Sequence, residues 1–333
     1  MLRIPFEELK AEFTRVLFEK GAPSDVAELA GRLFAENSRD GVYSHGLNRF
    51  PTIVKLIDEG RIRPAATPRT VLSRGGFQRW DGNLGLGNVT ATRAMARAVE
   101  LSRRYGIGCV AVRNTNHWLR GGTYGWQAAE AGCVGLCWTN AIPRMPAWGG
   151  REPRLGNNPL VVAVPRAEGP VVLDMALSQF SFGKMEEYRM AGKMLPFPGG
   201  YDEAGEPTSD PAVVERTKTA LPVGFWKGSG LAMVLDLAAA LPSEGRGALD
   251  FDEREGEFGV SQVFLAIDAD SLVGREVRER VVTRILNHVH ASTPVTEGGR
   301  VYYPGERTLL TRRENLEKGV PVNEEVWKIV QAM

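Results

Sequence analysis

Four histidines occur in the 333-residue sequence, and their neighbours give them different chemical prospects. His45 lies in VYSHGLNRF, directly before Gly46 and four residues before Arg49. A histidine held in a loop near a helix start can titrate near neutrality and pass a proton. If the following segment turns helical, Arg49 stands on the same side and could grip a carboxylate through two parallel hydrogen bonds. The plainer alternative is a part-exposed histidine at a helix start. His117 lies in RNTNHWLRGGTYGW, where Asn114, Asn116, His117 and Arg120 crowd polar groups behind an apolar run. Such a cluster either lines a ligand crevice at a strand end or forms a polar turn into a helix. His288 and His290, in LNHVHAS, are spaced so that a helix sends them to different faces, and they read as helix-surface residues. No HExxH or paired-cysteine signature supports a metal site.

Three glycine-containing stretches are candidate phosphate cradles. GNLGLGN does not fit the G-x-G-x-x-G dinucleotide fingerprint, and a turn is the alternative. In GFWKGSGLAM, Lys227 precedes Gly228, Ser229 and Gly230, the reverse of a Walker order. The segment could still offer backbone N–H groups and one cation to a phosphate, or simply cap a helix. PVVLDMALSQFSFGK places Asp174 and Ser178 after an apolar strand-like run. An acid there could bond ribose hydroxyls, orient a histidine or cap a helix. A nucleotide site is compatible with these patterns, whereas a conventional Rossmann domain is not.

The elements that must hold these residues follow from periodicity. Phe6, Leu9, Phe13, Val16 and Leu17 recur at helical steps up to Gly21, Ser24 and Asp25 open a second helix, and a third runs from about Leu47 to Gly60. These amphipathic helices carry no strands of their own. Past residue 70 the pattern mixes. VLSRGG, FQRWD, IGCVAVRN, VGLCWTN, NPLVVAVP, PVVLDMA and VSQVFLAID read as strands, many of them buried. Helices are expected over Asn88 to Tyr105, around TYGWQAAEAG, over GSGLAMVLDLAAAL and over SLVGREVRERVVTRILNHVHAS, and helix returns at the C-terminal end. Residues 196–211 read as one long loop. The fold class is α/β, with a largely buried sheet and helices contributed by both chain ends.

With 41 Lys+Arg against 40 Asp+Glu, the chain lacks the basic surplus of a nucleic-acid binder. Its 43% hydrophobic content excludes disorder as the dominant state. The odd set Cys109, Cys133 and Cys137, each inside an apolar run, reads as free thiols. The amino terminus lacks a secretory pattern, and LAMVLDLAAALP is too short to cross a bilayer, so a soluble cytoplasmic protein without nucleic-acid or membrane partners is expected.

SHGLNRF, RNTNHWLRGGTYGWQAAE, CWTNAIPRMPAWGG, LGNNPLVVAVP, VLDMALSQFSFGK, GFWKGSGLAMVLD and YPGER resemble, in that order, the malate/L-lactate dehydrogenase family of the second type. The likeness runs over essentially the whole chain. It implies a mixed-sheet nicotinamide-binding domain of non-Rossmann topology, over residues 71–294, and a helical domain formed from residues 1–70 and 295–333. It also implies reduction of a small 2-oxo acid, with His45 as catalytic proton donor and Arg49 and His117 as substrate-binding residues. NADH, or NADPH in its place, would be held by Pro170, Val171, Val172, Leu173, Asp174, Met175 and Ala176, by Trp226 and Lys227, and by Gly305, Glu306 and Arg307. A homodimer with its sites near the subunit contact is implied as well. A non-catalytic nucleotide- or sugar-acid-binding protein on the same scaffold is the rival of another class.

Overall fold

The computed structural model describes residues 2–251 and 256–333. Its N-terminal helices are α1 (Phe6–Glu19), α2 (Ser24–Arg39) and α3 (Phe50–Asp58). Pro5 and Pro23 stand immediately before the first two, where a fixed φ and a missing N–H cost nothing. Phe13, Phe34 and Phe50, one from each helix, meet at centroid separations of 4.5–5.7 Å and are fully buried. That cluster fixes the start of α3, and with it the segment carrying His45 and Arg49. The same core takes in Val320, Trp327 and Val330 from the C-terminal end. The third helix is shorter than the sequence suggests, because Tyr43–His45 and Leu47–Arg49 are separate 3-10 turns.

Seven strands form the main sheet: β1 (Arg69–Arg74), β2 (Phe77–Asp81), β3 (Ile107–Thr115), β4 (Cys133–Thr139), β5 (Leu160–Val164), β6 (Val171–Met175) and β7 (Val260–Asp268). Their order is β1-β2-β3-β7-β4-β5-β6, so the last strand in sequence lies at the centre. Only β2 and β3 run parallel; every other neighbouring pair is antiparallel. A doubly wound dinucleotide fold needs a largely parallel sheet, so the non-Rossmann expectation holds. Helices α4 (Gly87–Tyr105) and α5 (Gly122–Glu130) pack their alanine-rich faces on this sheet.

Four further readings from sequence need correcting. Arg3–Ile4 pairs antiparallel with Val320–Pro321, so the terminal region does hold a short strand pair. Residues 196–211 contain a small hairpin, Gly200–Tyr201 on Pro207–Thr208, closed where Asp202 Oδ1 accepts the N–H groups of Ala204 and Glu206. The expected helix from Ser271 onward breaks at Gly274, whose φ of 78° separates Ala269–Val273 from α7 (Arg275–His290). Asp174 lies within β6, not after it.

Candidate functional site

Two loops and one sheet edge converge. The first loop carries His45 and is drawn tight against α2. Asn37 Nδ2 donates to His45 O at 2.9 Å, and Leu47 N donates to Ser38 Oγ at 2.9 Å. A Cβ on Gly46 would lie 2.1 Å from Ser38 Oγ, so only glycine permits this approach. The glycine of the S-H-G motif is thus explained by packing. His45 Nδ1 is 2.9 Å from Ser44 Oγ.

The second loop follows β3. Leu119 takes a left-handed φ of 67°, strained for a branched side chain, and its N–H donates to His117 Nδ1 at 3.0 Å. That acceptor role assigns the neutral ring its proton on Nε2. Asn116 is buried and spent on structure: its Nδ2 donates to the carbonyls of Leu84 and Gly85. Asn114 similarly donates to Asp81. Of the polar cluster seen in sequence, His117 and Arg120 face the site.

His45 and His117 stack at a centroid distance of 5.6 Å. Burial, the guanidinium of Arg49 and that of Arg120 hold the His45 imidazole down to about 4. Burial, Arg49 and His45 likewise hold His117 well below the ordinary histidine range. The sequence expectation that His45 titrates near neutrality is therefore overturned for the substrate-free protein. Desolvation and two cations oppose its charge, and an approaching anion would relieve both. Arg49 Nε is buried and has no hydrogen-bond partner among the described residues. Glu257, whose carboxylate takes the Ile142 N–H at 3.2 Å, is raised by burial while Arg49 pulls it down.

The edge strand β6 closes the third side. Leu173 is 38% exposed, and Asp174 keeps 28% of its side chain open. Loss of hydration nevertheless raises Asp174, against the opposite pull of Arg120 and of the Gly122 N–H, which donates at 2.7 Å. A carboxylate surrounded by protein yet open to water marks the floor of a cleft. Gly305 packs on the start of this strand: Val172 N donates to Pro304 O at 2.9 Å. Beyond the strand, Val223 N donates to Leu177 O at 2.8 Å and brings in α6 (Trp226–Ser243). Trp226 is 62% exposed at its first turn, with Lys227 Nζ 6.0 Å from the indole. The three cofactor segments expected from sequence are thus linked through β6 and its extension. Glu306 departs from the rest. It is buried, and its carboxylate is taken by His290 at 3.0 Å, by Arg300 and by the Tyr303 N–H. His290 is exposed on its helix, as the sequence suggests, and from there reaches Glu306. Arg307 lies over the Tyr302 ring at 4.5 Å.

The arrangement offers a stacked imidazole pair, a guanidinium whose Nε has no partner among the described residues, and a part-exposed strand edge. The sequence profile of the malate/L-lactate dehydrogenase family matches residues 4–331. The chain belongs to the malate/L-lactate dehydrogenase family. Membership makes it a nicotinamide-dependent oxidoreductase acting on CH–OH or oxo groups. The chain is 43% identical to a 2,3-diketo-L-gulonate reductase of Escherichia coli O6:K15:H31 over 333 residues, covering 100% of each chain. Among solved structures, the malate dehydrogenase of Entamoeba histolytica superposes with a TM-score of 0.95 at 26% identity, covering 99% of this chain and 96% of that one. The sulfolactate dehydrogenase of Methanocaldococcus jannaschii gives 0.89 at 28%, covering 99% and 96%.

Within this family framework, Asp40 stands out as a residue that sequence reasoning passed over. It is 5% exposed and accepts from Arg39, Arg120 and Arg312, with distances of 2.7–2.9 Å. Burial alone would raise it, but Arg312, Arg120 and Arg39 hold it at about 2. At the end of α2 it resembles any exposed C-terminal acid, and no local spacing announces partners so remote in the chain.

Proposed function

We propose that this dehydrogenase reduces a 2-oxo acid with a nicotinamide cofactor, and that 2,3-diketo-L-gulonate, yielding 3-dehydro-L-gulonate, is its substrate. The observation carrying the reading is the stacked pair of His45 and His117 beside Arg49, whose Nε has no partner among the described residues. Carbonyl reduction needs an acid at the oxygen, a cation at the neighbouring carboxylate and a fixed hydride donor. His45 supplies the proton, Arg49 binds the carboxylate, and His117, with its Nε2–H, steadies the carbonyl side. The identity of 43% over the full length supports the diketogulonate assignment over malate, lactate, ureidoglycolate, sulfolactate or cyclic-imine substrates.

The cofactor, when bound, supplies the hydride. The residues fit it. Of Pro170, Val171, Val172, Leu173, Asp174, Met175 and Ala176, Leu173 and Asp174 are exposed on the edge strand, while Pro170 and Val172 are buried beneath them. Gly305 lets its turn pack directly on the start of that strand, and Trp226 with Lys227 presents an exposed ring and cation. Glu306 and Arg307 serve by shaping the Gly305 turn, since Glu306 is already paired within the chain. NADH is the proposed donor, with NADPH as the alternative.

A homodimer completes the reading. The outer face of α6 leaves Val234 52%, Leu237 62% and Leu241 81% exposed at helical spacing, an apolar stripe suited to a second copy. Trp226 and Lys227 begin the same helix, so such a contact would run beside the cofactor segment. The three cysteines are unpaired, in keeping with a reducing cytoplasm. The test is turnover of 2,3-diketo-L-gulonate, 2-oxosuccinate, pyruvate and sulfopyruvate with NADH and with NADPH. The reading expects diketogulonate with NADH to give a kcat/KM at least tenfold above the rest. Absence of turnover with all four, despite tight NADH binding, would favour a non-catalytic binding protein.

A further inference from the structure

Arg120 belongs neither to the proton donor, nor to the carboxylate grip, nor to the cofactor segments. It is nevertheless only 6% exposed and sits where all three meet. Its Nη1 donates to Asp40 Oδ2 at 2.7 Å, and the same carboxylate is held from the far side by Arg312 through Nε at 2.8 Å and Nη2 at 2.7 Å. A guanidinium is a rigid planar fork, so locking one nitrogen fixes where the others point. Its Nε edge lies 3.9 Å from Asp174 Oδ2 on the cleft floor. The residue before it, Leu119, is the strained one that orients His117.

We propose that Arg120 is a positioning residue of this site: locked by Asp40, it pairs with the Asp174 carboxylate and sets a fixed positive charge beside His45. The inference rests on the reading of His45 as proton donor. Two consequences follow from the charge arrangement. An anionic substrate entering the cleft meets Asp174 already offset by Arg120, so repulsion at the floor is reduced. His45 is kept neutral until that substrate arrives. The groups acting on His45 are Arg49 from its own segment and Arg120 and His117 from the loop after β3. Asp174 and Asp40 act on it through Arg120, and Glu257 through Arg49.

The test separates charge from geometry. In substrate-free protein, the NMR titration of the His45 ring, assigned with His45→Gln, should move upward by about half a unit or more in Arg120→Met. The pH at which kcat/KM for reduction declines should move the same way. Arg120→Gln replaces it if the methionine variant does not fold. Arg120→Lys retains the charge but cannot span Asp40 and Asp174 together. It should leave the His45 midpoint in place and lower kcat/KM about tenfold, the loss of a charge-assisted hydrogen bond. A folded Arg120→Met with an unmoved His45 midpoint would overturn the proposed charge, and a fully active Arg120→Lys would overturn the locking. If wild type reduces no 2-oxo acid while the midpoint still moves, the functional reading fails and the placement of Arg120 stands.

Discussion

The rings of His45 and His117 lie stacked, 5.6 Å between centroids and inclined by 26°, although one comes from the loop ahead of α3 and the other from the loop after β3. Charge on one imidazole opposes charge on the other, and burial together with Arg49 and Arg120 presses His45 toward neutrality. Both rings are therefore pressed toward the neutral form in the substrate-free protein.

That state has a pH signature in stability. His45 falls from an ordinary 6.5 to about 4 on folding. The unfolded chain takes up the proton first, so stability is full above pH 6.5 and declines as pH falls toward 4. At about 1.4 kcal/mol per unit, His45 accounts for a loss of about 3 kcal/mol at most. Urea unfolding between pH 7 and 4 measures it. His45→Gln should flatten that part of the profile, and an unchanged slope would contradict the assignment.

Arg49 should act on substrate binding. Replacing it by methionine removes the unpartnered donor, and kcat/KM for a 2-oxo acid should fall by about 10²–10³, the equivalent of a two-pronged charge-assisted bond. Steady-state kinetics should place most of the loss in KM.

Gly305 should govern the cofactor segment. Its φ is 94°, and an added Cβ would lie 3.1 Å from Val172 N, against the bond from Val172 to Pro304. Gly305→Ala should cost about 1–3 kcal/mol of stability and loosen NADH several-fold, read by thermal unfolding and by nicotinamide fluorescence.

The apolar stripe of α6 should hold the dimer. Leu237→Glu places a charge at its middle and should shift the light-scattering mass from dimer to monomer while leaving the helical circular dichroism unchanged. A wild-type protein that is monomeric at micromolar concentration would dispose of the dimer reading.

How much of this was legible beforehand depends on the range of the interactions involved. The helices of the first 60 residues and the strands of the sheet announce themselves through periodicity, because each buries one face over many residues. The sequence stretch around His45 and Arg49 is short and polar between such elements, which is why it stood out. Arg3–Ile4 and the hairpin inside residues 196–211 did not, since two-residue strands carry no period. Asp40 was invisible for another reason: its partners Arg120 and Arg312 are 80 and 272 positions away. Burial of such a charge is decided by packing, not by local spacing. The depressed proton affinity of His45 belongs to the same class, because its chief cause is enclosure by loops that sequence order does not bring together.

The central claim is that His45 gives the proton that completes carbonyl reduction. The most direct measurement is single-turnover oxidation of prebound NADH by 2,3-diketo-L-gulonate in His45→Gln, with the NADH dissociation constant measured alongside. The account expects the rate to fall by about 10²–10⁴, the usual contribution of a positioned acid, while NADH affinity stays within about threefold. A rate within a few-fold of wild type would contradict it.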